Sequence, residues 1–158
     1  MNLRKRVVMT VALTAAASAG VTAVAQEAIL FRPWAAAIKV SKGTVQVTQG
    51  DRVFPGRLGA KLKENAIVST GEDGSVGLLF LDRTVLSMGP NSEVVLTRYQ
   101  FDPTTYLGAF DVLVNKGNIS LQAGDLADSG PNNVTVTTPQ AELKGNAKQL
   151  MISVGDAK

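Results

Sequence analysis

A period-two alternation of apolar with polar or small residues restricts this chain to a small set of folds. It recurs about every 8 to 15 residues between turn-forming Gly, Asn, Asp and Pro, a pattern typical of all-β proteins. The alternating apolar sets are Val45 and Val47; Val94 and Leu96; Phe110, Val112 and Val114; Ile119 and Leu121; Val134 and Val136; Leu150, Ile152 and Val154. Each set would bury one face of a strand. The sequence therefore predicts an all-β domain of about ten to thirteen short strands.

One stretch departs from the alternation. The segment from Val76 to Leu81 is apolar on both parities, which predicts a central strand covered on both faces. Phe80 in this segment and Val112 in the alternating pattern have apolar parity neighbours, so both are predicted core residues.

Turn chemistry makes two further predictions. Glu72-Asp73-Gly74 and Asn115-Lys116-Gly117-Asn118 each suit a tight hairpin with a positive backbone φ angle. Because no segment after the N-terminal leader keeps helical spacing for about 11 residues, any helix should be a single turn, which we place near residues 59–65.

The N-terminus has the three parts of an export signal. Arg4 to Arg6 are basic, Val7 to Val24 is apolar or small, and Ala23-Val24-Ala25 is the small-x-small pattern that signal peptidase requires. We therefore predict cleavage between Ala25 and Gln26 and a periplasmic or secreted mature chain that does not span the membrane. The alternative is an uncleaved anchor, because an apolar run of about 18 residues could just cross a bilayer.

Composition restricts the function. The chain has no His and no Cys, so the usual general base, the thiolate nucleophile and the commonest zinc ligands are missing. Three of the 16 basic residues lie in the leader, which leaves 13 against 13 acidic residues. The predicted mature chain is neutral, and we expect no nucleic-acid partner. We also predict no enzymatic activity, no catalytic residue, no cofactor and no metal.

Carboxylates are the main alternative to that prediction. Two acidic pairs, Glu72 with Asp73 and Asp125 with Asp128, could in principle work as acid and base if the fold brought their carboxyl groups together. Both pairs lie beside Gly in turn-like segments, where Asp is favoured for local backbone hydrogen bonds. Asp125 and Asp128 alone supply too few oxygen ligands for calcium, which needs about six to eight.

Aromatic residues leave a second alternative open. They could form a surface that stacks on a sugar or a peptide, although aromatic side chains in a small β domain more often fill its core. The residues concerned are Trp34, Tyr99, Phe101 and Tyr106.

The order of these features resembles the FecR domain, the extracytoplasmic module of a bacterial signalling family. The matching segments are Gly43-Thr-Val45-Gln-Val47, Gly50, Leu62, Ala66-Ile-Val68-Ser-Thr70-Gly71-Glu-Asp-Gly74-Ser-Val76, Leu78-Leu-Phe80-Leu-Asp82, Thr84-Val85-Leu86, Gly89-Pro90-Asn91-Ser92-Glu-Val94, Tyr99-Gln-Phe101-Asp102, Phe110-Asp-Val-Leu-Val114, Lys116-Gly117-Asn-Ile119 and Val136-Thr-Thr138-Pro139-Gln-Ala141. Two segments differ from the family pattern. Asp82-Arg83-Thr84 stands where the family usually has Asp-Gly-Ser/Thr, and Lys144-Gly145-Asn146 where it usually has Arg-Gly-Thr. The Arg disfavours a positive-φ turn at that point.

The resemblance implies a domain organisation and a fold. We expect a signal peptide (residues 1–25), an N-terminal arm and first strand (26–42), a FecR-like β domain (43–154) and a C-terminal tail (155–158). The implied fold is a compact β-solenoid-like stack or β-roll of short strands, with a two-sheet β-sandwich as the alternative.

The resemblance also implies a function. We expect an exported protein-interaction or sensing module whose partner is another envelope protein, with the oligomeric state left open. Only six residues precede the apolar segment, so the anti-sigma region of the namesake proteins is expected to be absent. The competing function is a carboxylate-based hydrolase or a glycan-binding β domain, and a cleft with converging acids would favour it.

Overall fold

A computed structural model of the chain describes residues 34–155. These residues form twelve β-strands and one short helix, which confirms the prediction of a mainly β protein. The strands are β1 (Ala36–Lys42), β2 (Val45–Gln49), β3 (Arg52–Pro55), β4 (Lys61–Leu62), β5 (Ile67–Thr70), β6 (Ser75–Phe80), β7 (Val85–Met88), β8 (Glu93–Phe101), β9 (Gly108–Gln122), β10 (Val134–Thr137), β11 (Glu142–Gly145) and β12 (Gln149–Val154), and the helix α1 (Asp125–Ser129) follows β9. The predicted cleavage site and the N-terminal arm up to Pro33 lie outside the described residues.

All twelve strands belong to one hydrogen-bonded sheet with the order β3-β2-β5-β8-β9-β7-β6-β1-β4. Strand β10 adds to β9 in parallel and carries β11, and β12 adds to β9 in antiparallel orientation. We call β1, β4, β6, β7 and β12 the first half-sheet, and β2, β3, β5, β8, β10 and β11 the second half-sheet. The chain crosses repeatedly between them, and β9 belongs to both.

Strand β9 joins the half-sheets because its two ends have different neighbours. Its N-terminal part pairs with β8 and β10, whereas its C-terminal part, residues 117–122, pairs with β7 and β12. At the change of partners Gly117 has φ +96°. The predicted hairpin at Asn115–Asn118 is therefore wrong: the positive φ is present, but the chain bends without reversing because paired strands hold it extended on both sides.

The prediction of a tight hairpin at Glu72–Gly74 is also wrong. This segment connects β5 to β6, which belong to different half-sheets and do not pair with each other. The positive-φ glycines of the described chain are Gly43, Gly50, Gly59 and Gly117, and Gly74 is not among them. Gly74 instead lets the backbones of Gly74 and Thr44 lie close together, since a Cβ atom on Gly74 would be only 2.2 Å from the Thr44 carbonyl oxygen.

The position of the helix was predicted wrongly as well. Residues 59–65 form turns and the two-residue strand β4, in which Leu62 pairs with Ala36 of β1. Pairing with β1 keeps this segment extended. The helix is α1, a five-residue element whose Leu126 and Ala127 are buried.

The core lies between the inner faces of the two half-sheets, where the alternating apolar residues meet. Phe80 and Val112 are each 3% exposed, which confirms both as core residues. The Phe80 ring of the first half-sheet lies 5.1 Å from the Tyr99 ring and 4.7 Å from the Phe110 ring of the second. Such aromatic pairs contribute about 0.5–1.5 kcal/mol each beyond the area they bury.

Strand β6 holds the central position that was predicted for the apolar segment from Val76. It lies between β1 and β7. Its inward residues are buried, while Leu79 on the other parity is half-buried and Gly77 is covered by Val40. The strand is thus central in the hydrogen-bonded sheet, but its outer face is only partly covered.

The turn between β6 and β7 contradicts the expectation that Arg83, where the FecR pattern usually has Gly, disfavours a positive φ. Arg83 adopts φ +67°, although a non-glycine residue was expected to disfavour a positive φ there. The neighbouring hydrogen bonds compensate, since the Asp82 carboxylate accepts from the Thr84 backbone N–H (3.3 Å) and from the Thr84 hydroxyl (2.6 Å). This local bonding holds the turn and so imposes the left-handed conformation on Arg83.

Within residues 34–155, the structure contains no helix that is long and apolar enough to cross a membrane.

Candidate functional site

The outer face of the second half-sheet carries a depression of about 460 Å³. It lies over β8, β9, β10 and β11, on the side away from the core. We call it the outer groove and define it by six of the polar side chains that line it: Arg98, Asp111, Thr135, Thr137, Glu142 and Lys144.

Strand register places four of these residues in one row across the sheet. Arg98 pairs with Asp111, Asp111 pairs with Thr135, and Thr135 pairs with Lys144. Directly paired residues of neighbouring strands project from the same face. Thr137 and Glu142 form the next row, because they are partners in the β10–β11 ladder.

A register shift between Leu96 and Arg98 interrupts the pairing of β8 with β9. Shifts of this kind insert an extra residue, bend the strand and redirect its side chains. As a result Thr97 and Arg98, although consecutive, are both exposed and both line the groove.

Charges of both signs alternate along the groove. The Arg98 Nε atom donates to the Asp111 Oδ2 atom over 2.7 Å, and the Lys144 Nζ atom lies 2.8 Å from the Glu142 Oε1 atom. The hydrogen bond and charge of Glu142, followed by the charge of Asp111, raise the pKa of Lys144. The groove thus presents two ion pairs, each electrically neutral, on either side of Thr135. Thr135 itself is 9% exposed.

This arrangement suits recognition better than catalysis. Each carboxylate of the groove is already engaged with a cation, and the groove combines charged groups with threonine hydroxyls on a shallow surface. A segment of a partner that carries both charges and hydrogen-bonding groups would match it. Strand β11 borders the groove and, within the described residues, pairs only with β10.

A second depression of about 450 Å³ lies over β2, β3 and β5. It is lined by Val53, Phe54 and Pro55 together with polar residues of β2 and β5. Val53 is 58% exposed. This depression carries no charged side chain among its lining residues, so it offers apolar contact and uncharged hydrogen-bonding groups but no ion pair.

The carboxylate pairs considered from the sequence lie outside both depressions. Asp73 accepts a hydrogen bond from the Thr44 backbone N–H over 3.0 Å, and this bond lowers the pKa of the Asp73 carboxyl. Glu72 beside it is exposed. The geometry therefore gives Asp73 a structural role at the crossing between β5 and β6.

The second pair lies on helix α1 but is divided between two cations. Asp125 forms an ion pair with Arg83, and Asp128 forms one with Lys148. The hydrogen bond and charge of Asp125 raise the pKa of Arg83. Within residues 34–155 no group of three acidic, His or Cys side chains could hold a metal ion.

The aromatic residues divide between core and surface. Tyr99 is 8% exposed and belongs to the core, whereas Tyr106 is 51% exposed in the β8–β9 loop. Lys61 places its Nζ atom 5.1 Å from the centre of the Trp34 ring. The Phe101 and Tyr106 rings lie 6.1 Å apart, so one aromatic pair remains at the surface, away from the outer groove.

Sequence reasoning missed the buried carboxylate of Asp82. Asp82 is fully buried, and the Tyr99 hydroxyl donates to its Oδ1 atom over 3.0 Å while accepting from the Asp82 backbone N–H over 2.9 Å. Burial, followed by the charge of Asp82, raises the pKa of Tyr99 far above its usual value. The signal available was the Asp82-Arg83-Thr84 turn, because Asp two residues before Thr is typical of a side-chain-bonded turn.

The outer groove was also missed, because its residues come from four strands separated in sequence. Comparison of the chain with protein-family models, curated proteins and solved structures found no match.

Proposed function

We propose that this chain is an exported protein-interaction or sensing module of the bacterial envelope, similar to the FecR domain. The observation that carries the proposal is the outer groove, in which Arg98, Asp111, Thr135 and Lys144 form one cross-strand row that ends on the edge strand β11. Polar rows next to a sheet edge suit a partner's extended segment, which can use both side-chain and backbone hydrogen bonds.

The finer form of the fold belongs to the same proposal. We favour a compact β-roll over two separate sheets of a sandwich. Strand β9 supports this, because it runs unbroken from one half-sheet into the other and every strand joins one hydrogen-bonded sheet.

The compartment is proposed from the leader. If residues 1–25 are removed on export, the intact mass of the protein from its native envelope corresponds to a chain that begins at Gln26. A mass that retains Met1, with the protein in the membrane fraction, would replace export with anchoring.

Photo-crosslinking tests the binding surface. A photoreactive amino acid at Thr137 in the outer groove should give a discrete adduct with one envelope protein. The same amino acid at Ser87, an exposed residue on the outer face of the first half-sheet, serves as the matched control. Equal adducts from both positions, or none from Thr137, would contradict the proposal.

A charge variant tests the groove chemistry in the same assay. Replacing Lys144 by Glu places two acids on β11. The adduct from Thr137 should then be lost, because the new carboxylate repels the acidic group of the partner that would pair with Lys144. Lys63→Glu changes the same charge at an exposed residue outside the groove and should leave the adduct intact.

The competing hydrolase or glycan-binding function can be tested directly. We expect no turnover of glycan, peptide or ester substrates, because Asp125 and Asp128 are each held by a separate cation. Turnover that disappears in Asp125→Asn or Asp73→Asn without loss of folding would establish the enzyme instead.

A further inference from the structure

Four strands of the described sheet pair on one side only: β3, β4, β11 and β12. Natural edge strands are usually protected from pairing with other chains by charge, proline or short length. Three of the four have such protection. Strand β3 contains Arg52 and Pro55, β4 has two residues, and β11 has four residues with Glu142 and Lys144. Strand β12 has six residues, Gln-Leu-Met-Ile-Ser-Val, with no charge and no proline.

The backbone of β12 offers hydrogen-bonding groups at this edge. The Ala123 N–H donates to the Lys148 carbonyl oxygen over 2.9 Å, so residues 123 and 148 are a hydrogen-bonded pair of the antiparallel ladder with β9. Such pairs alternate along the ladder. Leu150, Ile152 and Val154 therefore bond to β9, whereas the backbone groups of Gln149, Met151 and Ser153 point away from it, towards the free edge.

The surface around β12 is depleted in charge. Strands β6, β7 and β12 and residues 117–122 of β9 contain no Asp, Glu, Lys or Arg. Met151 is 81% exposed. Its cross-strand neighbour on β9 is the small residue Ser120, and Ser87 follows in the same row on β7, two strands from the edge and outside the proposed contact. Loss of charge and enrichment in Met distinguish the centres of protein interfaces from ordinary surface.

We propose that β12 pairs in antiparallel orientation with β12 of a second copy of this chain, with the twofold axis at Met151. In this register Met151 faces Met151 of the second copy, Leu150 faces Ile152, and Gln149 faces Ser153. The three residues with outward backbone groups become hydrogen-bonded partners across the axis. The first half-sheets of the two copies then continue as one sheet through the dimer.

The occupant is a second copy because the strand is complementary to itself. Each pair joins residues of like polarity, and no charge meets a like charge. On the core side, Leu150 and Ile152 are half-buried against the core of their own copy, and the facing pair would cover their remaining exposed area. Twofold contacts of one strand with itself form closed dimers and no open fibre.

Single cysteines test the register, since the chain has no other thiol. Residues of a hydrogen-bonded antiparallel pair have Cα atoms about 5.5 Å apart, a separation that a disulfide can bridge. The full-length Met151→Cys variant should therefore oxidise to a disulfide-linked dimer. Ser87→Cys is the matched control, because it is exposed in the same row two strands away and should remain monomeric on a non-reducing gel.

A proline at residue 151 tests whether the outward hydrogen bonds of β12 hold the dimer, without removing a bond within the chain. The Met151 N–H points away from β9, so Met151→Pro should keep every bond to β9 while removing a donor that the dimer needs. Sedimentation equilibrium of the full chain should give a doubled mass for wild type and the monomer mass for Met151→Pro at unchanged circular dichroism. If the proline variant is unfolded, Met151→Lys replaces it, since two facing ammonium groups repel.

Three results would overturn the proposal: a monomeric wild-type chain, a dimer that persists in a folded Met151→Pro variant or in Met151→Lys, or equal disulfide linking of Met151→Cys and Ser87→Cys. A monomer would mean that β12 does not pair with itself. The proposal concerns the first half-sheet and does not rest on the outer groove, so crosslinking at Thr137 and dimerisation through β12 can fail separately.

Discussion

Asp82, Thr84 and Tyr99 form a buried polar unit next to the aromatic cluster. A buried carboxylate is tolerated only when its oxygens are hydrogen-bonded, and here Oδ1 accepts from Tyr99 and from the Thr84 N–H while Oδ2 accepts from the Thr84 hydroxyl. The unit ties the β6–β7 turn to β8. Its Thr84 hydroxyl also accepts from the Gly124 N–H over 2.9 Å, which links the turn to the segment before α1.

Tyr99 should make stability depend on pH in the alkaline range. Its pKa is raised above the usual value of 10.0, first by burial and then by the charge of Asp82. Above pH 10 the unfolded chain loses the phenolic proton while the folded chain keeps it, so this contribution to stability is complete below about pH 10 and declines as the pH rises. The free energy of unfolding of wild type, measured in urea, should therefore fall over that pH range.

The Tyr99→Phe variant isolates the contribution of Tyr99 to the pH dependence of stability. The variant should be less stable at neutral pH by about 1–3 kcal/mol, because Asp82 loses a buried hydrogen-bond donor. It should also show a smaller fall in the free energy of unfolding above pH 10. A variant with the same alkaline slope as wild type would assign that slope to other groups.

Arg83 offers a test of backbone strain. At φ +67° a side chain is disfavoured relative to glycine, so Arg83→Gly should be more stable than Arg83→Ala by about 1 kcal/mol. Both variants lose the exposed ion pair with Asp125, which therefore cancels in the comparison. Thermal melting measures the difference, and equal melting temperatures would show that the turn relaxes in the alanine variant.

At the scale of elements, β9 decides the architecture. Its 15 residues pair with β8 and β10 before Gly117 and with β7 and β12 after it. The bend lies against Ser92, because a Cβ atom on Gly117 would lie 2.1 Å from the Ser92 Oγ atom. The Ser92 Oγ atom in turn accepts from the Asn118 N–H over 3.1 Å, so close contact with Ser92 fixes the bend.

The stability losses of three Gly→Ala variants distinguish the cost of backbone strain at positive φ from the cost of a steric clash with a new Cβ atom. Gly145→Ala has open space and no positive φ, so stability should change by no more than about 0.5 kcal/mol. Gly50→Ala has φ +60° in open space and should lose about 1 kcal/mol. Gly117→Ala combines a φ of +96° with the Ser92 collision and should lose more than either. Chemical denaturation gives all three values, and equal losses at Gly50 and Gly117 would mean that the bend can open.

At the scale of the whole molecule, the aromatic cluster joins the two half-sheets. Phe80 comes from β6, while Tyr99 and Phe110 come from β8 and β9. All three are buried, and the Tyr99 and Phe110 rings are 6.1 Å apart at 89°. Contacts between rings of different half-sheets give the sheet its single core.

Phe80→Ala should reduce the free energy of unfolding by about 3–5 kcal/mol, because it removes a buried ring and leaves a cavity between the half-sheets. Leu58→Ala is the control, since Leu58 is 71% exposed and its loss should matter little. Thermal unfolding of both variants measures the effect. A melting curve for Phe80→Ala that matches wild type would contradict the packing described for the core.

The local properties of this protein could be predicted from its amino-acid sequence. Period-two alternation identifies the residues that face inward, because a strand reverses the direction of its side chains at each residue. Val45, Val94 and Val112 were therefore identifiable as core before any contact was known. The number of strands followed from the same pattern, and the segment Asn115–Asn118 was correctly expected to contain a positive φ, which the structure places at Gly117.

The roles of those local features depend on how the strands pair in three dimensions. Gly117 could end a hairpin or bend a strand, and the outcome depended on the pairing of β9 with β8 on one side and β7 on the other. Likewise, Arg98, Asp111, Thr135 and Lys144 are ordinary polar strand residues until register aligns them in one row. Neighbours within a strand are set by local geometry, whereas neighbours across strands depend on long-range pairing, which local sequence patterns do not specify.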